Sequence, residues 1–225
     1  MTCPCCRFSP TEWQAHKWTR WPISGLIKCD ECGHLWQESP APFQYGKEYV
    51  NGYAGRPTLE LSWVRLAFLW IYKKEGRVLD IGYGDGEFIR QASKAGFFTM
   101  GYDAHADDIG VPVVKELKPG VFDIVTMFDS FEHMADLDEP FKAAPSMFVV
   151  TVPWLPEGVT DETIRQWRHY KPNEHLHYFT EKSLRAVFSR HGYGMETREP
   201  IEDIIRKNPQ SSPNTMTFIF RKVIL

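Results

Sequence analysis

Residues 78 to 86 read Val-Leu-Asp-Ile-Gly-Tyr-Gly-Asp-Gly, an apolar run with one carboxylate, Asp80, that breaks into glycines at alternate positions. At such a break Gly82, Gly84 and Gly86, with Tyr83 between them, let a ligand approach the backbone, because no Cβ stands in the way. A second apolar run, Phe97-Phe98-Thr99-Met100-Gly101-Tyr102, ends in Asp103, 23 positions after Asp80. An acid at the tip of a second strand can accept both hydroxyls of a ribose at once. The glycine spacing departs from the Gly-x-Gly-x-x-Gly fingerprint of nicotinamide cofactors. A buried acid beside the turn also disfavours a pyrophosphate and suits a ligand with a positive centre. S-adenosylmethionine (SAM), with its sulfonium and amino group, is such a ligand.

The second chemical group is sulfur. All five cysteines fall in the first 32 residues, as Cys3-Pro4-Cys5-Cys6 and Cys29-Asp30-Glu31-Cys32. Cys3, Cys6, Cys29 and Cys32 form two Cys-x-x-Cys knuckles that can present four thiolates to one tetrahedral Zn2+, at a separation just beyond the usual ribbon window. Cys5 is a spare thiol or stands in for Cys3 or Cys6, and His16 and His34 are alternative ligands. A four-cysteine site leaves no open coordination position, so the zinc is expected to be structural. Trp13, Trp18, Trp21 and Trp36 crowd the same stretch, either as a patch packing the module on a larger domain or as a base-stacking platform.

These groups need elements to hold them. Val78–Ile81 reads as a buried strand, Phe88–Ala95 as a helix, Phe97–Tyr102 as the second strand and Val111–Val114 as the third. Phe122–Phe128 is the fourth strand, so Met127 and Phe128 are placed beside an adenine and Asp129 beside a methionine end. Met147–Val152 is the fifth, stopped by Pro153. Thr180 caps a helix over Glu181–Arg190, and Met195–Arg198 and Met216–Arg221 form the final strand pair. Leu59–Tyr72 is an apolar-rich helix leading into the first strand. The pattern predicts an α/β fold with a mostly parallel, Rossmann-like sheet of seven strands and a small N-terminal zinc-ribbon module. The expected division is a ribbon over 1–40, a linker, lid and first helix over 41–75, and the SAM-binding domain over 76–225.

Val78–Gly86, Asp103 and the run from Phe122 to Glu132-His133 resemble class I SAM-dependent methyltransferases, in the branch of ubiquinone-type and sugar C-methyltransferases. Asn173-Glu174-His175-Leu176-His177-Tyr178-Phe179-Thr180 is similar to a His-Glu-His-x-x-Tyr-Phe-Ser segment of the zinc-containing sugar enzymes. The resemblance implies His175 as the catalytic base, Glu174 as its orienting partner or a binder of a substrate hydroxyl, and His133 as a second candidate facing SAM. It also implies that Tyr45, Tyr49 and Tyr53 lie on a lid, with Tyr49 reaching the substrate. Asn173 departs from the family, which often has a histidine there. The sugar enzymes carry a further C-terminal domain, so the activity carries over and the sugar does not.

Methyl transfer from a sulfonium needs alignment and, where necessary, a base, for which histidine is suited. The expected function is therefore methylation of a small molecule. One alternative is a nucleic-acid methyltransferase that uses the ribbon and tryptophans for recognition, and another is a non-catalytic binding module. A net charge of −3 supplies no basic footprint for nucleic acid. The fourth strand also lacks the Asn/Asp-Pro-Pro-aromatic run of exocyclic-amine methyltransferases. No run of apolar residues suits a membrane span and no signal peptide opens the sequence, which points to the cytoplasm.

Overall fold

A computed structural model describes residues 2–7, 18–41, 58–103, 109–206 and 213–224. The expected lid, with Tyr45, Tyr49 and Tyr53, lies outside the described residues, as do Trp13 and His16.

Three short strands open the chain: β1 (Trp18–Trp21), β2 (Leu26–Cys29) and β3 (Leu35–Gln37). Helix α1 (Thr58–Tyr72) leads into β4 (Arg77–Ile81), α2 (Glu87–Lys94) and β5 (Phe98–Tyr102). Strands β6 (Ile124–Phe128) and β7 (Met147–Pro153) follow, then the two-residue β8 (His177–Tyr178) and α3 (Glu181–Arg190). The chain continues through β9 (Tyr193–Glu199), a single turn α4 (Asp203–Arg206) and β10 (Thr215–Lys222).

The main sheet has the order β5-β4-β6-β7-β10-β9. Its first four strands are parallel, while β10 runs antiparallel to both β7 and β9. Every residue of β6 and β7 is buried, as expected of parallel strands covered on both faces. On one face the buried side of α1, including Leu66 and Leu69, and Phe88 and Ala92 of α2 form one apolar layer with Val78 and Ile124. On the other, α3 contributes Leu184, Val187 and Phe188 to a cluster with Phe148, Phe218 and Phe220. A reciprocal capping box between Thr180 and Ser183 starts α3.

The expected α/β fold is present, with one difference in strand count. Among the described residues the sheet has six strands, and the segment expected as the third strand contributes only a parallel bridge between Gly101 and Val113. Gly101 N–H donates to the Pro112 carbonyl and Val114 N–H to the Gly101 carbonyl. Pro112 has no N–H to extend that ladder. Val113 is also exposed, so no burial rewards a longer strand.

The N-terminal sheet has the order β1-β2-β3-β8. Its last strand comes from the far part of the chain: Leu35 pairs with Tyr178 and Trp36 with His177. One continuous apolar cluster runs from Cys5, Ile27 and Trp36 through Phe131 and Phe179 into the core around Phe148. The short N-terminal strands cannot bury a core alone, and this shared strand lets them use that of the larger domain.

Candidate active site

Strand order reverses between β4 and β6, which places a crevice at their C-terminal ends, where open α/β sheets bind ligands. The cavity there has a volume of about 550 Å³, within the range of small-molecule sites. Asp80, Gly82, Tyr83 and Gly84 line it from the β4–α2 turn, Phe128 and Asp129 from the end of β6, and His133, Glu174 and His175 from the loops beyond.

Asp80 is buried and accepts a 2.6 Å hydrogen bond from Thr126 Oγ1. Burial is the largest influence on its carboxyl and raises it to about 7, against the opposing pull of Thr126 and Arg65. Gly82 has a φ of +74°, and a Cβ there would lie 2.4 Å from Ser130 Cβ. Ser130 Oγ donates to the Ile81 carbonyl at 2.8 Å, locking the end of β4 to the loop after β6. The glycine is thus required by the close approach of two strand ends, as well as by the turn.

Three other sequence-derived site residues are not among those lining the cavity. Met127 is buried in the core on the opposite side of β6 from Phe128, as strand alternation requires. Gly86 opens α2 and packs against Ile109 and Val111. Asp103 follows β5, half-buried, and is not among the cavity-lining residues.

Sequence reading missed an ionic cluster over the crevice. Arg65 of α1 bonds Glu202 at 2.6 Å and Asp129 at 3.3 Å, and Arg206 of α4 bonds both acids as well. Burial works to raise the Asp129 carboxyl, but Arg206 and Arg65 outweigh it and hold the group below its ordinary value. The Arg65 guanidinium also sits 4.5 Å over the Phe128 ring. Only tertiary packing brings these residues together, and no local motif announces them.

On the opposite wall the short 3-10 turn Phe131–His133 meets the loop before β8. His133 Nδ1 is 2.9 Å from the Glu174 carbonyl oxygen. A carbonyl only accepts, so Nδ1 carries the proton and Nε2 keeps its lone pair. The His133 and His175 rings pack edge to face with centroids 4.6 Å apart. His175 is buried with Nδ1 unpartnered; burial foremost, then the neighbouring His133 and Lys171, lower it to about 2. The Glu174 carboxylate pairs with Lys171 at 2.8 Å and stays 3.9 Å from His175 Nε2. Glu174 therefore orients His133 through its backbone, whereas its side chain makes no hydrogen bond to His175. Glu132 is fully buried and neither carboxylate oxygen has a hydrogen-bond partner.

The N-terminal sheet holds this wall from behind. Gln37 Nε2 donates to the His175 carbonyl at 2.7 Å, while its Oε1 accepts from the Asn173 N–H at 3.0 Å. Asn173 has a φ of +68°, a conformation asparagine tolerates, and its side chain accepts from the Ala41 N–H. The departure from the resembled segment at this position thus has a structural use. Thr180 Oγ1 donates to the Cys32 carbonyl, tying the start of α3 to the second knuckle.

The sulfurs of Cys3, Cys6, Cys29 and Cys32 all lie within 4.8 Å of one another, with Cys3–Cys32 at 3.6 Å and Cys6–Cys29 at 3.7 Å. A tetrahedral ion with Zn–S bonds of about 2.3 Å spaces its sulfurs by about 3.8 Å, so the four thiols fit that geometry. Cys5 stands outside the group, its thiol pushed up by burial. His34 is also outside it, with Nε2 3.0 Å from His177 Nδ1. Trp21 and Trp36 are buried, and Trp18 is half-buried. No helix among the described residues is long and apolar enough to cross a membrane.

Known proteins share this architecture. A SAM-dependent methyltransferase from Archaeoglobus fulgidus superposes with a TM-score of 0.57 at 20% identity, over 80% of this chain and 100% of that one. The 1,6-didemethyltoxoflavin-N1-methyltransferase of Burkholderia thailandensis, solved with bound 1,6-didemethyltoxoflavin and S-adenosylhomocysteine, gives 0.55 at 13% identity, over 85% of this chain and 96% of that one. No curated protein sequence matches the chain. Residues 55–197, from the approach to α1 through most of β9, match the methyltransferase domain family, and the chain belongs to that family.

Proposed function

We propose that the chain transfers a methyl group from SAM to a small-molecule acceptor bound against Glu132, His133 and His175. The observation that carries this reading is one cavity with a glycine turn and the Asp80 carboxyl on one wall and the imidazole pair on the other. SAM, when bound, supplies a sulfonium methyl whose electron pair stays on sulfur as the methyl leaves. Gly82 and Gly84 offer backbone to it, the Asp80 and Asp129 carboxylates face its positive centres, and Asp103 takes the ribose hydroxyls. His175, neutral because it is buried, offers a lone pair for the acceptor's proton. So weak a base suffices because the acceptor heteroatom becomes far more acidic once it carries the new methyl group. His133, with Nε2 free of its proton, is the second candidate for this role.

Burial of Trp21 and Trp36 favours the packing role of these rings over base stacking, which supports a small acceptor over a nucleic acid. Cys3, Cys6, Cys29 and Cys32 hold a structural Zn2+ in this reading. The test is a methyl-transfer screen over phenols, sugars and amines, with SAM binding followed by calorimetry. His175→Ala should lower turnover with SAM affinity retained, and Asp103→Ala should abolish SAM binding in a folded protein. Absence of any heat with SAM would overturn the assignment.

A further inference from the structure

Glu132 poses a problem that methyl transfer alone does not answer. A fully buried carboxyl with no hydrogen-bond partner on either oxygen costs several kcal/mol unless something compensates it. Three cations lining the cavity are engaged elsewhere: Arg65 and Arg206 with Asp129 and Glu202, and Lys171 with Glu174. Around Glu132 stand two imidazoles, and one ligand atom from each of Glu132, His133 and His175 falls within 4.8 Å of the others. Glu132 Oε1 and His133 Nε2 are 3.9 Å apart. Cis ligands about 2.1 Å from one ion lie about 3 Å apart, so modest side-chain rotation closes the set.

The surroundings also suit a metal. A ligating histidine usually donates its other ring N–H to a carbonyl or carboxylate, which fixes the tautomer and the ring. His133 does so, through Nδ1 to the Glu174 carbonyl, leaving Nε2 directed to the Glu132 side. His175 Nδ1 is buried and has no hydrogen-bond partner. All three residues line the cavity, so coordination positions opposite them remain open to an acceptor.

We propose that Glu132, His133 and His175 bind a divalent first-row metal ion, distinct from the four-thiolate site, that ligates an oxygen or nitrogen of the methyl acceptor. Two imidazoles and one carboxylate with open positions select Zn2+, Fe2+ or Mn2+ over Mg2+ and Ca2+. The proposal rests on the acceptor face assigned above and deepens it: the ion would take the lone pairs that His133 and His175 otherwise offer as bases, the acceptor would release its proton to solvent as it ligates, and it would carry a lone-pair donor close to the atom that is methylated.

The experiment uses the full chain loaded with one equivalent of Zn2+ at the cysteines, titrated with Co2+ and Mn2+. One further equivalent should bind, with a Co2+ spectrum lacking thiolate charge-transfer bands, and with loss of the free Mn2+ resonance. E132Q and H175A should each weaken this binding roughly a hundredfold while calorimetry shows SAM still bound. No second equivalent, or a second equivalent that both variants retain, would overturn the proposal. If SAM binds and H175A loses turnover but no second metal is taken up, the metal fails and the base reading stands. If SAM does not bind, the methyltransferase reading fails whatever the metal titration gives.

Discussion

Gln37 Nε2 donates to the His175 carbonyl at 2.7 Å, joining a residue of the N-terminal sheet to the histidine on the acceptor wall. The same side chain accepts from the Asn173 N–H, and the Gln37 backbone N–H donates to the Leu176 carbonyl. One residue thus fixes both ends of the segment that displays Glu174 and His175. The cysteine-rich part is therefore a brace for one wall of the cavity, joined to it through β3 and β8.

Gln37→Ala should lower kcat with the Kd for SAM unchanged. It removes two side-chain hydrogen bonds, each with a net value of about 1 kcal/mol, so a drop of up to roughly thirtyfold is expected in kcat. The SAM wall, built on β4 and β6, does not touch Gln37. Steady-state kinetics beside calorimetry separate the two effects, and an equal loss in both would contradict the bracing role.

Stripping metal from the cysteines, or Cys29→Ser, should loosen the same wall before the sheet core. A structural zinc site supplies folding energy to a module too small to hold itself. Hydrogen exchange should rise first at β2, β3 and β8, while amides of β4 and β6 stay protected. Simultaneous exchange of all five strands would mean that the brace and the catalytic sheet unfold as one.

Much of this arrangement is visible in residue order. The strand–turn–helix from Val78 to Ala95 is local, so its periodicity and glycines identify it without help. The four clustered thiols come as two close pairs, and the pairing survives folding because each knuckle is a tight local turn. Arg65, Glu202 and Arg206 could not be read this way, since Arg65 and Glu202 lie 137 positions apart and meet only in the folded chain. Glu132 stood in plain view beside His133, but its lack of partners is a property of burial and has no trace in the sequence. The run around Val113 reads as a strand in the sequence but forms only a bridge, because an apolar run does not report whether a neighbour will cover its face.

Gly82→Ala should destabilise the fold by about 3 kcal/mol, since it combines a left-handed backbone with overpacking. The added methyl would meet Ser130 Cβ at 2.4 Å, and Ser130 is itself pinned to the Ile81 carbonyl. Urea unfolding should show a midpoint lower by about 1–2 M with little change in slope. Ser130→Gly in the same chain should recover part of the loss by removing the clashing atom. No recovery would place the cost in the backbone conformation alone.

Asp80 gives the site a pH dependence whose sign can be fixed in advance. Its folded carboxyl titrates at about 7, above the ordinary 3.8, because burial penalises the charge more than Thr126 and Arg65 favour it, while Asp103 and Asp85 add a smaller push in the same direction. The ligand-free fold therefore holds a proton on Asp80 that the unfolded chain has released. That contribution to stability is complete below about pH 4 and is lost as pH rises through about 7. A cationic donor favours the ionised carboxylate, so binding below that value must expel the proton. SAM affinity should rise with pH and level off above about 7, and be about thirtyfold weaker near pH 5.5 than on the plateau. The gain conferred by SAM on thermal stability should follow the same curve. Asp80→Asn removes the titration, so its affinity should be lower than the wild-type plateau and nearly flat with pH. A wild-type affinity that is also flat, measured by calorimetry in buffers of differing ionisation heat, would mean that the donor's positive centres do not face Asp80.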